Sequence, residues 1–315
     1  MKSVRVVFMG TPDFAVPCLK YLVTNDYEIE AVYTQQDKSS GRGRVIMPSP
    51  VKRAAEELGL PVIQPRSFKS SDAVAELAGF RPDVIVVAAY GQILPQTVLD
   101  LAEHGCVNVH PSLLPKYRGV SPIPAAILAG DDFAGASIML LDAGTDTGPV
   151  LSQAQISISP DDTTGSLTNK LSRIGAQLLL ETLPLWVGRK IGPRPQDDSR
   201  ASYSAKLAKE DGEIDWHFAA IDIWRRVRAF DPWPGAFTIL QSKQLRVLKA
   251  KPMSTTSGLA PGQVSASPDK EIGFVVGTGR GELGILTVQL EGKKAMSGSD
   301  FVRGQRAFVG ATLGR

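Results

Sequence analysis

The chain has 315 residues, of which 43% are hydrophobic and 21% are charged, and its formal net charge is +3. This length suggests about two domains, and no apolar run approaches the ~20 residues that a membrane helix needs. The amino terminus lacks the features of a signal peptide, and two Cys and three His without close spacing make a disulfide framework or a metal site improbable. We therefore expect a cytoplasmic protein that holds no metal and does not enter a membrane.

The first half of the chain alternates short apolar runs with amphipathic segments. The apolar runs predict strands at Val4–Met9, Glu30–Thr34, Val84–Ala89, Cys106–Val109 and Ser137–Leu141. The intervening segments predict a first helix at Phe14–Val23, capped near Asp13, and further helices at Val51–Leu58, Asp72–Ala78, Val98–Glu103 and Pro122–Leu128. An apolar stripe marks a longer helix and consists of Leu167, Leu171, Ile174, Leu178 and Leu183. This alternation is typical of a doubly wound, mostly parallel α/β sheet.

The sequence changes character near residue 188, where it becomes polar and rich in Pro and Gly. We predict a first domain over 1–189, a linker over 190–208 and a second domain over 209–315. After a helix at Ala219–Phe230, the second domain has short β-like runs, which are typical of a small barrel or sandwich. These runs are Ala236–Leu240, Leu245–Ala250, Gly273–Val276 and Gly284–Gln289.

Positive charge is concentrated in the last third of the chain. Residues 201–315 contain 16 Lys and Arg against 11 Asp and Glu, whereas residues 1–200 are slightly acidic. This imbalance fits a solvated surface, and it also fits a polyanionic partner.

Two glycine-containing segments lie in the first domain. The turn Gly10–Ala15 lacks the second and third glycines of a dinucleotide fingerprint, which disfavours bound NAD or FAD. Residues 35–44, QQDKSSGRGR, form a basic connection that is longer than most in such domains. This segment is either a passive insertion or a mobile arm whose Arg42 and Arg44 bind phosphates.

The stretch NVHPSLLPKYRG, residues 108–119, carries the main candidate for chemistry. Asn108 and His110 are two residues apart, and side chains in an extended strand point alternately to its two sides. Both side chains therefore point to the same side of the strand end. An amide donor beside an imidazole suits stabilisation of an anionic tetrahedral intermediate. A purely structural role for a single histidine remains the alternative.

A second candidate segment is LDAGTDTGP, residues 141–149, which follows the next predicted strand. We expect it at the same sheet edge as His110, where Asp146, or Asp142 before it, would orient the ring and favour imidazolium. The alternative is a turn in which both aspartates only bind their own backbone. With Asn108 and His110, a carboxylate would complete a three-group constellation.

Together these motifs resemble the folate-dependent formyltransferases. Members of that family share Asn-x-His, Ser-Leu-Leu-Pro and Tyr/Trp-Arg-Gly, followed by an Asp-x-Gly-x-Asp-Thr-Gly loop, here 142–148. Further segments resemble the methionyl-tRNA members of the family. They are Gly10–Ala15, Gly41–Gly43 with Met47–Lys52, Ala89–Gly91 with Leu94-Pro95, Ile214–Trp216, Trp233-Pro234 and Gly292–Met296.

The resemblance implies a Rossmann-like formyltransferase domain followed by an OB-like barrel that binds tRNA. It implies transfer of a formyl group from 10-formyltetrahydrofolate to charged initiator tRNA. Because the N-formyl product is an amide, we expect that no metal or redox cofactor is needed, and we expect a monomer. The catalytic residues would be Asn108, His110 and Asp146. The folate site would comprise Ala89, Gly91, Leu94, Ser112, Leu113, Leu114, Pro115, Leu141, Asp142 and Gly144. The tRNA contacts would include Arg42, Arg44, Lys206, Lys249 and Lys293.

Two other functions compete with this interpretation. One is formyl transfer to a sugar or nucleotide sugar, against which the long basic segment and the basic second domain argue. The other is a folate- or RNA-binding module without catalysis, against which the Asn, His and Asp constellation argues.

Overall fold

The computed structural model describes residues 4–40, 45–254, 258–267, 269, 271–305 and 307–314. The chain divides into two compact units. Unit 1 comprises Met1–Pro122, Phe133–Ser157 and Thr168–Ser204. Unit 2 comprises Ile123–Asp132, Ile158–Leu167 and Ala205–Arg315. None of the helices in the described ranges is long and apolar enough to cross a membrane.

The described residues that precede Ala205 form eleven strands and six α-helices. The strands are β1 (Arg5–Gly10), β2 (Glu28–Tyr33), β3 (Lys38–Ser40), β4 (Val45–Met47), β5 (Val62–Ile63), β6 (Val84–Ala88), β7 (Cys106–His110), β8 (Arg118–Gly119), β9 (Phe133–Leu140), β10 (Val150–Ser157) and β11 (Tyr203–Ser204). The helices are α1 (Val16–Thr24), α2 (Pro50–Glu57), α3 (Ser71–Gly79), α4 (Gln96–Leu99), α5 (Pro122–Ala129) and α6 (Thr164–Val187).

A seven-stranded sheet in the order β10-β9-β7-β6-β1-β2-β5 forms the centre of unit 1. The strands from β7 to β5 run parallel, and β9 and β10 are antiparallel to their neighbours. The strand order reverses between β1 and β6, which is where open α/β sheets form a ligand crevice. The predicted doubly wound, mostly parallel fold is confirmed.

Buried apolar strands explain why this sheet is stable. Every residue of β6 and β7 is buried, as expected for parallel strands covered on both faces. Tyr33, Phe68 and Tyr90 form an aromatic row with ring centroids 5.7 and 6.3 Å apart. These rings belong to a buried core with residues of β1, β2 and β6, which gives the strand ends a rigid support.

Unit 2 is an antiparallel half-barrel in the order β12-β13-β16-β15-β14, with β17 paired to β16. Its elements are α7 (Ala220–Ala229), β12 (Phe237–Leu240), β13 (Lys243–Pro252), β14 (Val264–Ala266), β15 (Phe274–Gly277), β16 (Glu282–Leu290), β17 (Met296–Ser297) and α8 (Gly298–Gly304). Edge-to-face contacts join Phe308 to Phe274 and Phe301, with ring centroids 4.8 and 5.0 Å apart. These aromatic contacts hold β15 against α8 in the centre of the core. The predicted small β domain is confirmed.

Several local features differ from the sequence-based expectations. The first helical turn is a 3-10 turn at Asp13–Ala15, and no side chain caps it, because Pro12 occupies the N-cap position. The fourth helix is only Gln96–Leu99, and β10 and the β3–β4 hairpin were not expected. The alternating pattern of β10 is that of an edge strand, with one face buried and the other solvated.

Candidate active site

Strand β7 places Asn108 and His110 on the wall of a cavity of about 570 Å³. Both side chains are almost fully buried, at 8% and 4% exposure. The pairing of β7 with β6 and β9 fixes their position, because Asn108 is opposite Val87 on one side and Met139 on the other. No hydrogen bond to the Asn108 side chain is found among the described residues, so its amide is available to a ligand in the cavity.

The His110 ring lies between two oxygen acceptors. Its Nε2 is 3.2 Å from the backbone oxygen of Tyr117, and its Nδ1 is 3.6 Å from Oδ2 of Asp146. Burial lowers the pKa of His110, and the Asp146 carboxylate and the Tyr117 carbonyl oppose that shift. The two acceptors therefore favour the protonated ring, but burial is the larger effect and the net shift of the pKa is downward.

Asp146 is fixed by the backbone of β8. The Gly119 N–H donates to Oδ2 of Asp146 at 2.8 Å, the same oxygen that faces His110. Asp146 has a φ of +53°, which is unusual for a residue other than glycine. Non-glycine residues keep such conformations only where their surroundings enforce them, and they cluster at functional sites.

The expected reason for the approach of Asp146 to His110 is wrong, although the approach itself is present. Strand β9 is antiparallel to β7, and its last residue, Leu140, lies opposite Val107 rather than at the carboxyl end of β7. The loop of residues 141–149 instead bends back and places Asp146 beside His110. A tight approach at Gly148 allows this bend, because an added Cβ there would collide with the Leu140 oxygen.

Asp142 has a different role from Asp146 in the same loop. Its Oδ1 accepts hydrogen bonds from the Gly144 N–H at 3.0 Å and from Oγ1 of Thr147 at 2.7 Å. These bonds form a compact turn that shapes the cavity wall. Among the described residues it is Asp146, and not Asp142, whose carboxylate faces His110, so Asp146 completes the expected constellation.

Most of the residues expected at the folate site line this cavity. They are Ala89, Gly91, Leu94, Leu141, Asp142 and Gly144. Ser112–Pro115 do not line it. Ser112 is buried and donates to the Lys116 oxygen at 2.6 Å, and Leu114 packs in a small core with Met139 and Val150.

The expected tRNA contacts are distributed between described and undescribed parts of the chain. Arg42 and Arg44 lie outside the described residues. Lys206, Lys249 and Lys293 are exposed in unit 2. Lys249 is 3.4 Å from Asp161, but both side chains are mostly exposed, and such surface pairs contribute little to stability. Across the described ranges, no group of three or more His, Cys, Asp or Glu is placed to hold a metal ion.

The sequence did not single out several groups that complete the site. The backbone groups of Tyr117 and Gly119 contact His110 and Asp146, and Ile93 is 93% exposed at the cavity wall. The Tyr-Arg-Gly motif was the available indication for the first two, because it lies directly after the strand that carries His110. Gln196 also contacts the Asp146 backbone, and no local pattern marks it.

Comparison with known proteins identifies both parts of the chain. The family described as formyl transferase matches residues 3–183, and the formyl transferase C-terminal domain matches residues 206–306. A protein from Dehalococcoides mccartyi named methionyl-tRNA formyltransferase is 50% identical over 314 residues, which is 100% of both chains. A protein of the same name from Marinobacter nauticus is 45% identical over 97% of both chains.

Solved structures share the fold at lower sequence identity. An N-formyltransferase from Helicobacter canadensis, in complex with folinic acid and dTDP-3-aminofucose, has a TM-score of 0.67 at 18% identity. That match covers 90% of this chain and 98% of the other. HypX from Aquifex aeolicus, in complex with tetrahydrofolic acid, has a TM-score of 0.65 at 18% identity, and the match covers 98% of this chain but 48% of HypX.

Proposed function

The chain belongs to the formyl transferase family, and we propose that it transfers the formyl group of 10-formyltetrahydrofolate to the α-amine of methionyl initiator tRNA. The product, N-formylmethionyl-tRNA, serves translation initiation. Relatives with this name match the chain over its whole length, so the proposal covers both units rather than the first alone. The observation that carries the chemistry is the buried cluster of Asn108, His110 and Asp146 beside one cavity.

The cavity has the size and lining that a folate donor needs. Its volume of about 570 Å³ lies within the ~300–1,000 Å³ that is typical of small-molecule sites. Its apolar lining suits the flat pterin ring, and the backbone of residues 141–144 offers polar groups at the edge. The apolar side chains are Val87, Ile93, Leu94, Leu99 and Leu141. We propose that the pterin lies here and that the bound donor supplies the activated formyl carbon.

Asn108 and His110 stabilise the charge that develops when the amine attacks the formyl carbon. The Asn108 amide donates a hydrogen bond to the formyl oxygen as it becomes an oxyanion. The distance of 3.6 Å between His110 Nδ1 and Oδ2 of Asp146 is longer than a hydrogen bond. The Nδ1–H therefore remains available to the formyl oxygen. As imidazolium, His110 adds positive charge at a water-poor position, where its electrostatic effect is strongest.

Asp146 has two roles in this proposal. Its carboxylate keeps His110 oriented and favours the protonated ring, because a nearby negative charge stabilises imidazolium. It also accepts the proton that the attacking amine loses, through a bridging water. The tetrahedral intermediate then collapses as the bond between the formyl carbon and N10 of the folate breaks. N10 takes up the proton that Asp146 accepted from the amine, which leaves the amide and releases tetrahydrofolate.

The three catalytic side chains come from a single copy of the chain, so we propose that the protein acts as a monomer. The basic residues Arg42, Arg44, Lys206, Lys249 and Lys293 would bind tRNA phosphates. We place the reaction in the cytoplasm, where charged initiator tRNA is used. The two free, buried cysteines, Cys18 and Cys106, agree with a reducing compartment.

The test is incorporation of a radioactive formyl group from labelled 10-formyltetrahydrofolate. Charged initiator tRNA should be formylated, whereas free methionine, charged elongator tRNA and a dTDP-amino sugar should react far more slowly. Preferred formylation of the sugar would contradict the proposed tRNA acceptor, although the reaction would still be formyl transfer. No transfer to any acceptor by correctly folded protein, despite folate binding, would favour a binding module without catalysis.

A further inference from the structure

The segment that joins the two matched regions, residues 184–205, contacts the candidate active site through residues 194–204, here called the clamp segment. Arg194 and Val150 exchange backbone hydrogen bonds of 2.8 and 2.9 Å at the end of the Asp146 loop. The Arg118 N–H donates to the Ser202 oxygen at 2.8 Å, and β11 then pairs in parallel with β8. The clamp segment therefore contacts both loops that surround His110.

Gln196 connects these two loops through its side chain. Its Nε2 donates to the backbone oxygens of Asp146 and Gly148, at 2.8 and 2.7 Å. Its Oε1 accepts from Nε and Nη2 of Arg118, at 3.1 and 3.0 Å. Donor and acceptor ends of one amide are thus both used, and the amide cannot be flipped without losing all four bonds.

Arg118 gives Gln196 a rigid partner. Its side chain is only 2% exposed and has further bonds to Asp198 at 2.6 Å and to the Tyr203 hydroxyl at 3.2 Å. With so many fixed donors, the guanidinium has one orientation in which all are satisfied. The Gln196 amide therefore has a defined position relative to the Asp146 backbone.

The two loops that the clamp segment holds have unusual backbone conformations. Tyr117 has a φ of +58° and Asp146 a φ of +53°, in the left-handed region. Such conformations cost of order 1–3 kcal/mol each and persist only when neighbouring groups enforce them. Here the Tyr117 N–H donates to Oγ of Ser202 at 2.9 Å, and the Asp146 oxygen accepts from Gln196. Both restraints come from the clamp segment.

We propose, on the basis of the proposed function, that Gln196 is a positioning residue for formyl transfer, which holds Asp146 against Gly119 and His110. The side-chain amide of Gln196 fixes the backbone of Asp146 by donating to the Asp146 carbonyl oxygen. The carboxylate then meets the Gly119 N–H at 2.8 Å and His110 Nδ1 at 3.6 Å. The competing role is structural only, in which Gln196 stabilises unit 1 and leaves the chemistry unaffected.

Two substitutions at Gln196 separate these roles. Gln196→Met keeps the length of the side chain and removes both its donor and its acceptor. Gln196→Glu keeps an acceptor for Arg118, so that contact survives, but places a carboxylate oxygen against two carbonyl oxygens. The control is Gln177→Met, which makes the same chemical change at an exposed position of α6, where the amide donates a hydrogen bond to Glu181.

Formylation of charged initiator tRNA and thermal unfolding are measured for the wild type and all three variants. We expect kcat to fall about 10- to 100-fold in both Gln196 variants, because a displacement of ~1 Å in a catalytic group can cost ~10²-fold. The KM for 10-formyltetrahydrofolate should stay within about twofold, because Gln196 does not line the cavity. The alkaline limb of the kcat profile should also move to lower pH, because a displaced Asp146 stabilises imidazolium less.

Each outcome separates the positioning role from the structural role. Reduced kcat with a shifted pH profile in Gln196→Glu, at near wild-type unfolding temperature, supports the positioning role. Wild-type kcat and an unshifted profile in a folded Gln196 variant overturn it, as does an equal loss in Gln177→Met. If Gln196→Met unfolds, Gln196→Glu alone decides, since it retains the bonds to Arg118. The wild-type assay tests the proposed function separately, so inactive wild-type protein contradicts that function and not only the role of Gln196.

Discussion

The catalytic edge of unit 1 and the candidate tRNA-binding lysines of unit 2 present their charges in opposite ways. At the catalytic edge, His110 is buried and Asp146 mostly so, and each has defined partners within 2.8 to 3.6 Å. In unit 2, Lys206, Lys249 and Lys293 are exposed on long side chains. A transition state needs charges placed before the reaction begins, since reorganisation would raise the barrier. A phosphate backbone needs positive charge in roughly the right place, since counterion release supplies the affinity.

This difference predicts that single substitutions should act strongly at the catalytic edge and weakly among the lysines. The largest effect is expected for His110→Ala. We expect turnover to fall by at least the ~10²-fold typical of losing one donor to an oxyanion, with the fold retained. Formylation rates and circular dichroism of the purified variant test this expectation. A folded variant with near-normal turnover would show that His110 has no part in the mechanism. It would also contradict the expected difference between strong effects at the catalytic edge and weak effects among the lysines.

Asp146→Asn should have the next largest effect. The amide retains an acceptor for the Gly119 N–H but loses the negative charge that raises the pKa of His110. We expect turnover to fall about 10- to 100-fold, and little change in folate affinity, because charge-assisted hydrogen bonds contribute ~1.5–3 kcal/mol. The pKa of His110 should fall further, so activity should be lost at a lower pH as the pH rises.

Asp142→Asn is the matched control for this variant. Among the described residues, the Asp142 carboxylate bonds within its own turn, to Gly144 and Thr147, and an amide oxygen can accept both bonds. We expect a change in turnover of less than about threefold, in line with the small net value of ~0.5–1.5 kcal/mol for an ordinary hydrogen bond. A severe defect in Asp142→Asn together with a mild one in Asp146→Asn would reverse the roles of the two aspartates.

Gly119→Ala tests whether the backbone of the catalytic edge is as constrained as its side chains. Gly119 has a φ of +104°, and an added Cβ would lie 2.9 Å from the Ser204 oxygen. We expect a stability loss of ~1–3 kcal/mol and about tenfold lower turnover, because the N–H that binds Asp146 moves with the strain. Thermal unfolding and formylation rates measure the two effects.

Gly59→Ala separates strain from function in that experiment. Gly59 also has a positive φ, of +68°, but an added Cβ would meet nothing within 4 Å. We expect it to lose ~1–2 kcal/mol of stability through backbone strain alone and to keep wild-type turnover. Equal turnover in both glycine variants would show that the Gly119 N–H has no special importance for Asp146.

The sequence predicted those parts of the molecule that depend on local pattern. Apolar runs identified β6 and β7, and even spacing placed Asn108 and His110 on one side of β7. The approach of Asp146 to His110 was predicted for a wrong reason, because strand direction in a mixed sheet is not encoded in a single apolar run. The choice between Asp142 and Asp146 depended on a resemblance, since both occupy the same kind of turn sequence.

Contacts between distant parts of the chain could not be predicted. Gln196 lies 50 residues from Asp146 and 78 from Arg118, in a polar Pro- and Gly-rich stretch that is typical of a linker. A single glutamine in such a stretch has no periodicity and no capping position to mark it. Only the folded structure shows that the Gln196 amide forms hydrogen bonds to groups on two loops. The lysines of unit 2 are the converse case, because the charge of this region and its resemblance to a tRNA-binding domain indicated a function for them without reference to any contact within the fold.

The smallest effect is expected for Lys249→Ala combined with Lys293→Ala. Both side chains are exposed, and within the described ranges Lys249 pairs with the exposed Asp161 at 3.4 Å, so the fold should be unaffected. If each lysine binds one phosphate, the slope of log K against log salt should decrease by about 1.4–1.8 for the double variant. Binding of charged initiator tRNA across a salt series measures the slope, and folate affinity should hardly change.

The control for a general loss of positive charge is Lys20→Ala combined with Lys69→Ala, since both are exposed lysines of unit 1. An unchanged slope in the Lys249 and Lys293 double variant would exclude these lysines as phosphate contacts. An equal decrease in both double variants would show that the two lysines act only through the net charge of the protein. A decrease confined to Lys249 and Lys293, with turnover at saturating tRNA retained, would establish that unit 2 supplies affinity while the buried groups of unit 1 supply rate.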